Sequence, residues 1–263
     1  MMRRMWNAYL VELHKAVRMR ITCMGPLLVL AAVCSTMLQI PLQKDGVSDY
    51  RFIAAATTIS IDMLGLLLIV IFCAGLISSE LGRGTVRTVL VRPLRRIEFL
   101  LAKLLLGITF AWSLLLLAGA ASWSLALLLG DVHGVEFGGE LLYSSAEMAV
   151  TYLLAAGISA VLLSSVVAYA LLFSAATRSP ATAIGWAVGL WLLLGIVKYP
   201  LGIDAFMFST YLASPWEVFA NRSDGLVVAW MPGAAYWVLV SLISSAVFVV
   251  GAAAIFQRRS LHA

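Results

Sequence analysis

Residues Ser78 to Lys103 read SSELGRGTVRTVLVRPLRRIEFLLAK, the longest strongly polar interval in an otherwise apolar chain. Five arginines, one lysine, two glutamates, two glycines and one proline lie here between two hydrophobic runs. Gly82 and Gly84 suit the end of a preceding helix, because glycine tolerates the backbone turn that closes a helical C-terminus. Thr85 is placed to cap a new helix in which Val86, Val89 and Leu90 share one face. That helix has to be short. Pro93 stops it, since proline lacks an amide donor and pushes the residue before it out of helical geometry. Arg95 and Arg96 then stand at the foot of the next apolar run, and Lys103 lies a few turns in, from where a long cationic side chain is expected to reach back to the headgroups. The pattern predicts a short amphipathic helix lying along a membrane face between two spanning helices.

Working outward, the whole chain supports a membrane setting. Of 263 residues, 62% are hydrophobic and only 12% charged, with a mean hydropathy of +1.00. Soluble domains carry about 25% charged residues, so a soluble globule is excluded. Apolar runs occur at about Ile21–Ile40, Phe52–Ile77, Phe99–Leu129, Glu147–Ala176, Ala181–Lys198 and Ala234–Phe256. Each is long enough to cross a hydrocarbon core of roughly 30 Å, which takes about 20 helical residues. The expected fold is therefore an all-α polytopic membrane protein with six transmembrane helices. Residues 1–20 form a separate N-terminal amphipathic helix, and residues 21–263 a single six-span domain that contains the 78–103 segment.

In residues 1–20, Met2, Met5, Trp6, Tyr9, Leu10, Leu13, Ala16 and Val17 make one stripe and Arg4, Asn7, His14, Lys15 and Arg18 another. Such a helix is expected to lie in the interface, anchored by Trp6, Lys15, Arg18 and, from the third span, Lys103. No small-x-small cleavage site follows, so a cleaved leader is not expected. The net charge of +5 sorts by side of the membrane. Placing the N-terminus in the cytoplasm puts fourteen of the eighteen lysines and arginines inside, leaving only Lys44, Arg51, Lys198 and Arg222 outside. The expected location is a plasma (inner) membrane with both termini cytoplasmic. A nucleic-acid role has no support beyond the basic balance.

Two intervals depart from plain span and loop. Residues 129–147 are Gly-rich and acidic and read as a flexible external loop. Residues 199–233 hold two apolar pieces, IDAFMFSTYL and GLVVAWM, separated by Pro215 and Asn221-Arg222-Ser223-Asp224. Both pieces are too short to span and are expected as re-entrant or interfacial helices, or as an ordinary external loop. Small-residue patches at 118–122, 155–160 and Ser241, Ser244 and Ser245 suit close helix packing. The three cysteines, Cys23, Cys34 and Cys73, lie in apolar runs and suggest neither disulfides nor a metal site. Asp62 is the exceptional residue, about 15 Å inside the second span. An intramembrane acid is a candidate for substrate contact or gating, with Thr58 and Gly65 on its face and Lys198 as a possible partner.

The order Glu80, Gly84, Thr85, Arg87, Leu90, Pro93, Arg96, Leu100, Lys103 resembles the E-x3-GT-x-R-x2-L-x2-P-x2-R-x3-L-x2-K pattern of permease subunits of the type-2 (ABC-2) exporter family of ABC transporters. The hydropathy layout extends the resemblance over the whole chain, while Arg83 and Arg92 add charge beyond the pattern. The resemblance implies that Glu80, Gly84, Thr85, Arg87, Leu90, Pro93 and Arg96 belong to a coupling element that docks on an ATP-hydrolysing subunit. Glu80 and Arg87 would pair across that contact or brace the segment internally. It also implies an external re-entrant element before the last span, a second permease subunit, identical or homologous, two ATPase subunits, and export of an amphipathic substrate such as a drug, peptide or lipid. No GxxxxGK[ST] loop occurs, so no cofactor is expected in this chain; ATP and magnesium would sit on the partner ATPase. An ion-coupled secondary transporter would show several intramembrane charges and internal repeats, and an intramembrane enzyme would need a nucleophile or metal cluster beyond Asp62.

Overall fold

The computed structural model of the chain describes residues 2–43, 48–84, 95–137 and 140–258. Helix α1 (Met2–Val17) precedes α2 (Arg20–Gln39), α3 (Tyr50–Gly82), α4 (Arg96–Leu129), α5 (Ser145–Ala176), α6 (Pro180–Val197), α7 (Ser214–Ser223) and α8 (Gly233–Arg258). All but α1 and α7 are long and apolar enough to cross a membrane, and they fall on the six runs that hydropathy marks. The protein is an all-α polytopic membrane protein.

Helices α3 and α4 contain 33 and 34 residues, a length of about 50 Å at 1.5 Å per residue, so they overrun a hydrocarbon core of roughly 30 Å. Their overhang carries the polar residues at each end. One end of the bundle gathers α1, the C-termini of α3, α5 and α8, and the N-termini of α2, α4 and α6; it is rich in arginine and lysine. Here α3 stops at Gly82, and Gly84 takes a φ of +69°, the left-handed turn that a glycine terminator permits.

The opposite end is built differently from the expected loops. Two strands, β1 (Gly134–Phe137) and β2 (Glu140–Ser144), pair antiparallel here in place of a flexible stretch. Val135 is buried, while Leu141 and Leu142 of β2 are exposed. Ser144 then caps α5 reciprocally with Glu147. In the 199–233 interval, IDAFMFSTYL makes only two short 3-10 turns, Asp204–Phe206 and Phe208–Thr210. The helix there is α7, built on residues expected to be separators. Pro215 falls in its first turn, where a missing amide costs nothing, and Asn221, Arg222 and Ser223 complete it. GLVVAWM forms no regular element. Trp216, Val218 and Phe219 bury one face of α7, which packs on α3 and α5.

The core centres on α5, which packs against α3, α4, α6, α7 and α8. Small residues set the approach distances. A Cβ added at Gly107 of α4 would lie 2.6 Å from Val167 Cγ1 and 2.9 Å from Cys73 Sγ, so the α3, α4 and α5 backbones meet there only because glycine has no side chain. Gly75 has open space instead. Gly107→Ala is expected to destabilise the solubilised protein by about 1–3 kcal/mol, the usual penalty for overpacking. Gly75→Ala should leave the melting temperature unchanged or slightly raised, and the pair is compared by thermal unfolding in detergent.

Candidate functional site

At the basic end, Lys103 is 2% exposed although it sits about 10 Å along α4 from Arg96. It does not reach back to headgroups, as its place at the foot of a span suggested. Its ammonium donates to Glu80 Oε1 of α3 at 2.7 Å and to Glu12 Oε2 of α1 in a shorter hydrogen bond. Lys15 donates to the other Glu12 oxygen at 2.7 Å and lies 3.8 Å from Glu80. Two cations thus share two carboxylates across three helices, and the reason is energetic. An ammonium buried beside an apolar span is costly alone, whereas charge-assisted bonds to two acids offset its desolvation. A cleft of about 280 Å³, lined by Glu12, Lys15, Glu80, Arg83 and Lys103 with Leu76 and Leu106, borders this cluster.

Glu12 carries no special place in the family pattern, and it is the residue that sequence reasoning missed. Its signal was its register: it stands three residues after Tyr9 and four before Ala16, on the apolar stripe rather than the polar face. The structure buries Tyr9, Glu12 and Ala16 together against α4, with Tyr9 Oη 2.9 Å from Thr109 Oγ1. The expected lipid stripe is therefore divided. Trp6, Leu10 and Val17 point outward, while Tyr9 and Ala16 belong to the protein interior.

The remaining ends of the 78–103 segment are also held internally. Arg96 donates through Nη1 to the backbone carbonyls of Phe256 at 3.2 Å and Gln257 at 2.7 Å, capping the last turn of α8, and Phe99 stacks on Phe256. Glu98 accepts from the Arg95 amide at 3.0 Å and starts α4 as a capping residue. A Cβ on Gly82 would lie 2.6 Å from the Arg178 carbonyl oxygen, so α3 terminates directly against the α5–α6 turn. Ser174 Oγ accepts from the amides of Ile77 and Ser78 at 2.9 and 3.1 Å. Thr85, Arg87, Leu90 and Pro93, with the short helix expected around them, lie outside the described residues.

Asp62 sits in a π-helical turn, Ile59–Gly65, within α3. Such turns are rare and occur often at functional sites. The turn packs chiefly against α2 and α4, and Asp62 is half-buried beside the outward-facing Met63. The expected Lys198 partner is engaged elsewhere: it donates to Thr210 Oγ1 at 3.1 Å and lies over the Tyr199 ring. The charged group within electrostatic reach is another acid, Glu217 of α7. Among the described residues no group of His, Cys, Asp and Glu is arranged to hold a metal ion.

Six apolar spans, with charged side chains clustered where α3 and α4 leave the core, define the class as a polytopic helical membrane protein. The chain belongs to the ABC-2 family of transporter proteins, whose family model matches residues 12–261. It is a multi-pass ABC-type transport permease, a family that works with an ABC ATPase and a membrane partner. No curated protein matches the chain.

The charge cluster makes stability pH-dependent. Burial alone would raise the Glu12 carboxyl, but the Lys103 ammonium, with Lys15 behind it, outweighs burial and holds the carboxyl below its ordinary value. The folded state thus binds fewer protons than the unfolded one, and the stabilisation is present above the unfolded carboxyl value, lost as pH falls through the folded one. Thermal stability should fall below about pH 4.3, and Glu12→Gln, less stable at neutral pH, should lose part of that acid dependence. Lys103→Met, which leaves two carboxylates facing each other, should cost about 3–5 kcal/mol at neutral pH.

Proposed function

We propose that this chain is the permease of an ATP-driven exporter and that residues 78–103 receive the stroke of a separate ATPase subunit. The observation that carries the reading is the ion pair between Glu80 and Lys103, the two ends of the family pattern. It closes the base of the segment, so that whatever binds residues 84–96 acts on two spanning helices at once. Arg96, tied to the end of α8, extends the same base to the last span. In this reading Glu80 braces the segment from within and Arg87 meets the ATPase surface.

In this reading the basic end faces the cytoplasm, consistent with the cation bias along the sequence. ATP and magnesium are held by two partner ATPase subunits, and a second permease, identical or homologous, completes the translocation path. ATP-driven approach of the ATPases moves the cytoplasmic ends of α3 and α4, and the bundle opens for an amphipathic substrate such as a drug, peptide or lipid. Asp62 is the substrate-contacting or gating group. Its support is the irregular turn that presents it, half-buried beside the apolar Met63 and within electrostatic reach of Glu217.

The test uses the permease co-expressed with its ATPase subunit in proteoliposomes. Glu80→Ala and Arg87→Ala should both insert in the membrane. Permease-dependent stimulation of ATP hydrolysis should drop by roughly tenfold in each, equivalent to about 1.4 kcal/mol. Stimulation equal to wild type in both variants would remove the coupling role of the segment. Asp62→Asn should retain the stimulation that nucleotide binding alone produces while changing its response to added amphiphiles. A response to amphiphiles identical to wild type would rule out the role given to Asp62.

A further inference from the structure

Lys103 joins more than the two ends of the coupling segment. Its ammonium is shared between Glu80, on the segment, and Glu12, on a helix that lies outside the segment altogether. Both Lys103 and Glu12 are buried, with side chains 2% and 7% exposed, so salt and water weaken the pair little. If α4 moved and α1 stayed, Glu12 would be left as a buried carboxylate without its main countercharge. Moving together is the lower-energy route, because a desolvated ion pair separated in place loses its attraction and keeps its desolvation cost.

The rest of α1 is disposed to follow. Tyr9 and Ala16 pack on α4, and only Arg18 and Met19 separate α1 from α2. Their amides still bond to the Lys15 and Ala16 carbonyls, at 3.2 and 2.9 Å, so the joint is a tight turn rather than a slack tether. Helix α2 in turn lies against the π turn that carries Asp62.

Resting on the coupling role proposed above, we propose that Glu12 is a positioning residue for coupling: through Lys103 it locks the N-terminal helix to the base of the ATPase-contacting segment, so that α1 moves with that segment during the ATP cycle. The helix is then a moving part of the permease and not only an anchor in the interface.

The experiment follows the motion directly and needs no transport substrate. In the permease–ATPase complex, Cys23→Ser and Cys34→Ser remove the exposed thiols while the buried Cys73 is kept. A single reporter is then introduced, either Trp6→Cys on the outward face of α1 or Arg83→Cys at the base of the segment. The rate of N-ethylmaleimide modification is measured without nucleotide and after trapping with ATP and vanadate. Both reporters should change rate on trapping. Adding Glu12→Gln should abolish the change at position 6 and preserve it at position 83, and Glu12→Asp should restore it in part. Tyr9→Phe, which removes only the neutral hydrogen bond to Thr109, should leave both changes in place. A response at position 83 with silence at position 6, in the protein with Glu12 intact, overturns the proposal. A position 6 response that survives Glu12→Gln overturns it as well. Silence at both positions overturns the coupling role of the segment itself, and this proposal with it.

Discussion

One buried ammonium organises the basic end of this protein. Lys103 is flanked by the carboxylates of Glu12 and Glu80, and Lys15 balances the second acid, so that the cluster is neutral as a whole. Buried ion pairs seldom stabilise a fold more than well-packed apolar residues of the same volume would. What they do supply is geometry, since each member is costly to leave alone. Here that property makes three helices meet at one point. The point lies where the segment joining α3 and α4 begins and ends, and a hydrophobic contact at the same place would permit sliding that a shared proton donor does not.

The two ends of the bundle are secured by different means. At the basic end the ties are ionic or involve charged donors: Lys103, Lys15, and Arg96 on the terminal carbonyls of α8. At the opposite end single charged donors, Arg222 to Thr151 and Lys198 to Thr210, and an Arg51–Asp224 ion pair are joined by neutral and aromatic ties. Tyr50 donates to the Val132 carbonyl at 3.0 Å, Thr57 and Tyr152 share a hydrogen bond of 3.2 Å, and Tyr152 packs edge-on to Trp123 and Phe219. Asp49 adds a carboxylate that accepts from the Gln43 and Asp131 amides and closes two loops. Between the two ends α3 carries its one stretch of π-helix, at the only acid inside its apolar run. The span is thus tied to its neighbours at both ends and irregular between them, at Asp62.

The six spans were legible to within a few residues, because a hydrocarbon core demands some twenty apolar residues and tolerates few charges, whatever the fold around it. The helix stop at Gly82 and Gly84 was legible for an equally local reason, the left-handed conformation that glycine accepts. Local reading failed where a neighbour decided the outcome. The β1–β2 sheet takes its form from pairing between two pieces that are too short and too polar to declare themselves. Pro215 and the polar residues after it looked like separators, yet with Trp216 and Phe219 finding a surface on α3 and α5 they became the helix. Glu12 was visible only as an acid out of place on an apolar stripe.

By itself, then, the amino-acid order determined that this chain has six membrane-spanning helices, which end carries the positive charge, and where the helix before the polar 78–103 interval stops, since those follow from solvation and turn chemistry acting residue by residue. Only the tertiary structure decided what Glu80, Arg96 and Lys103 touch. Lys103 had two plausible surroundings, headgroups or carboxylates, and a lone sequence position cannot distinguish them. The choice depended on α1 folding back to bring Glu12 within a hydrogen bond of it, a contact between residues 91 positions apart.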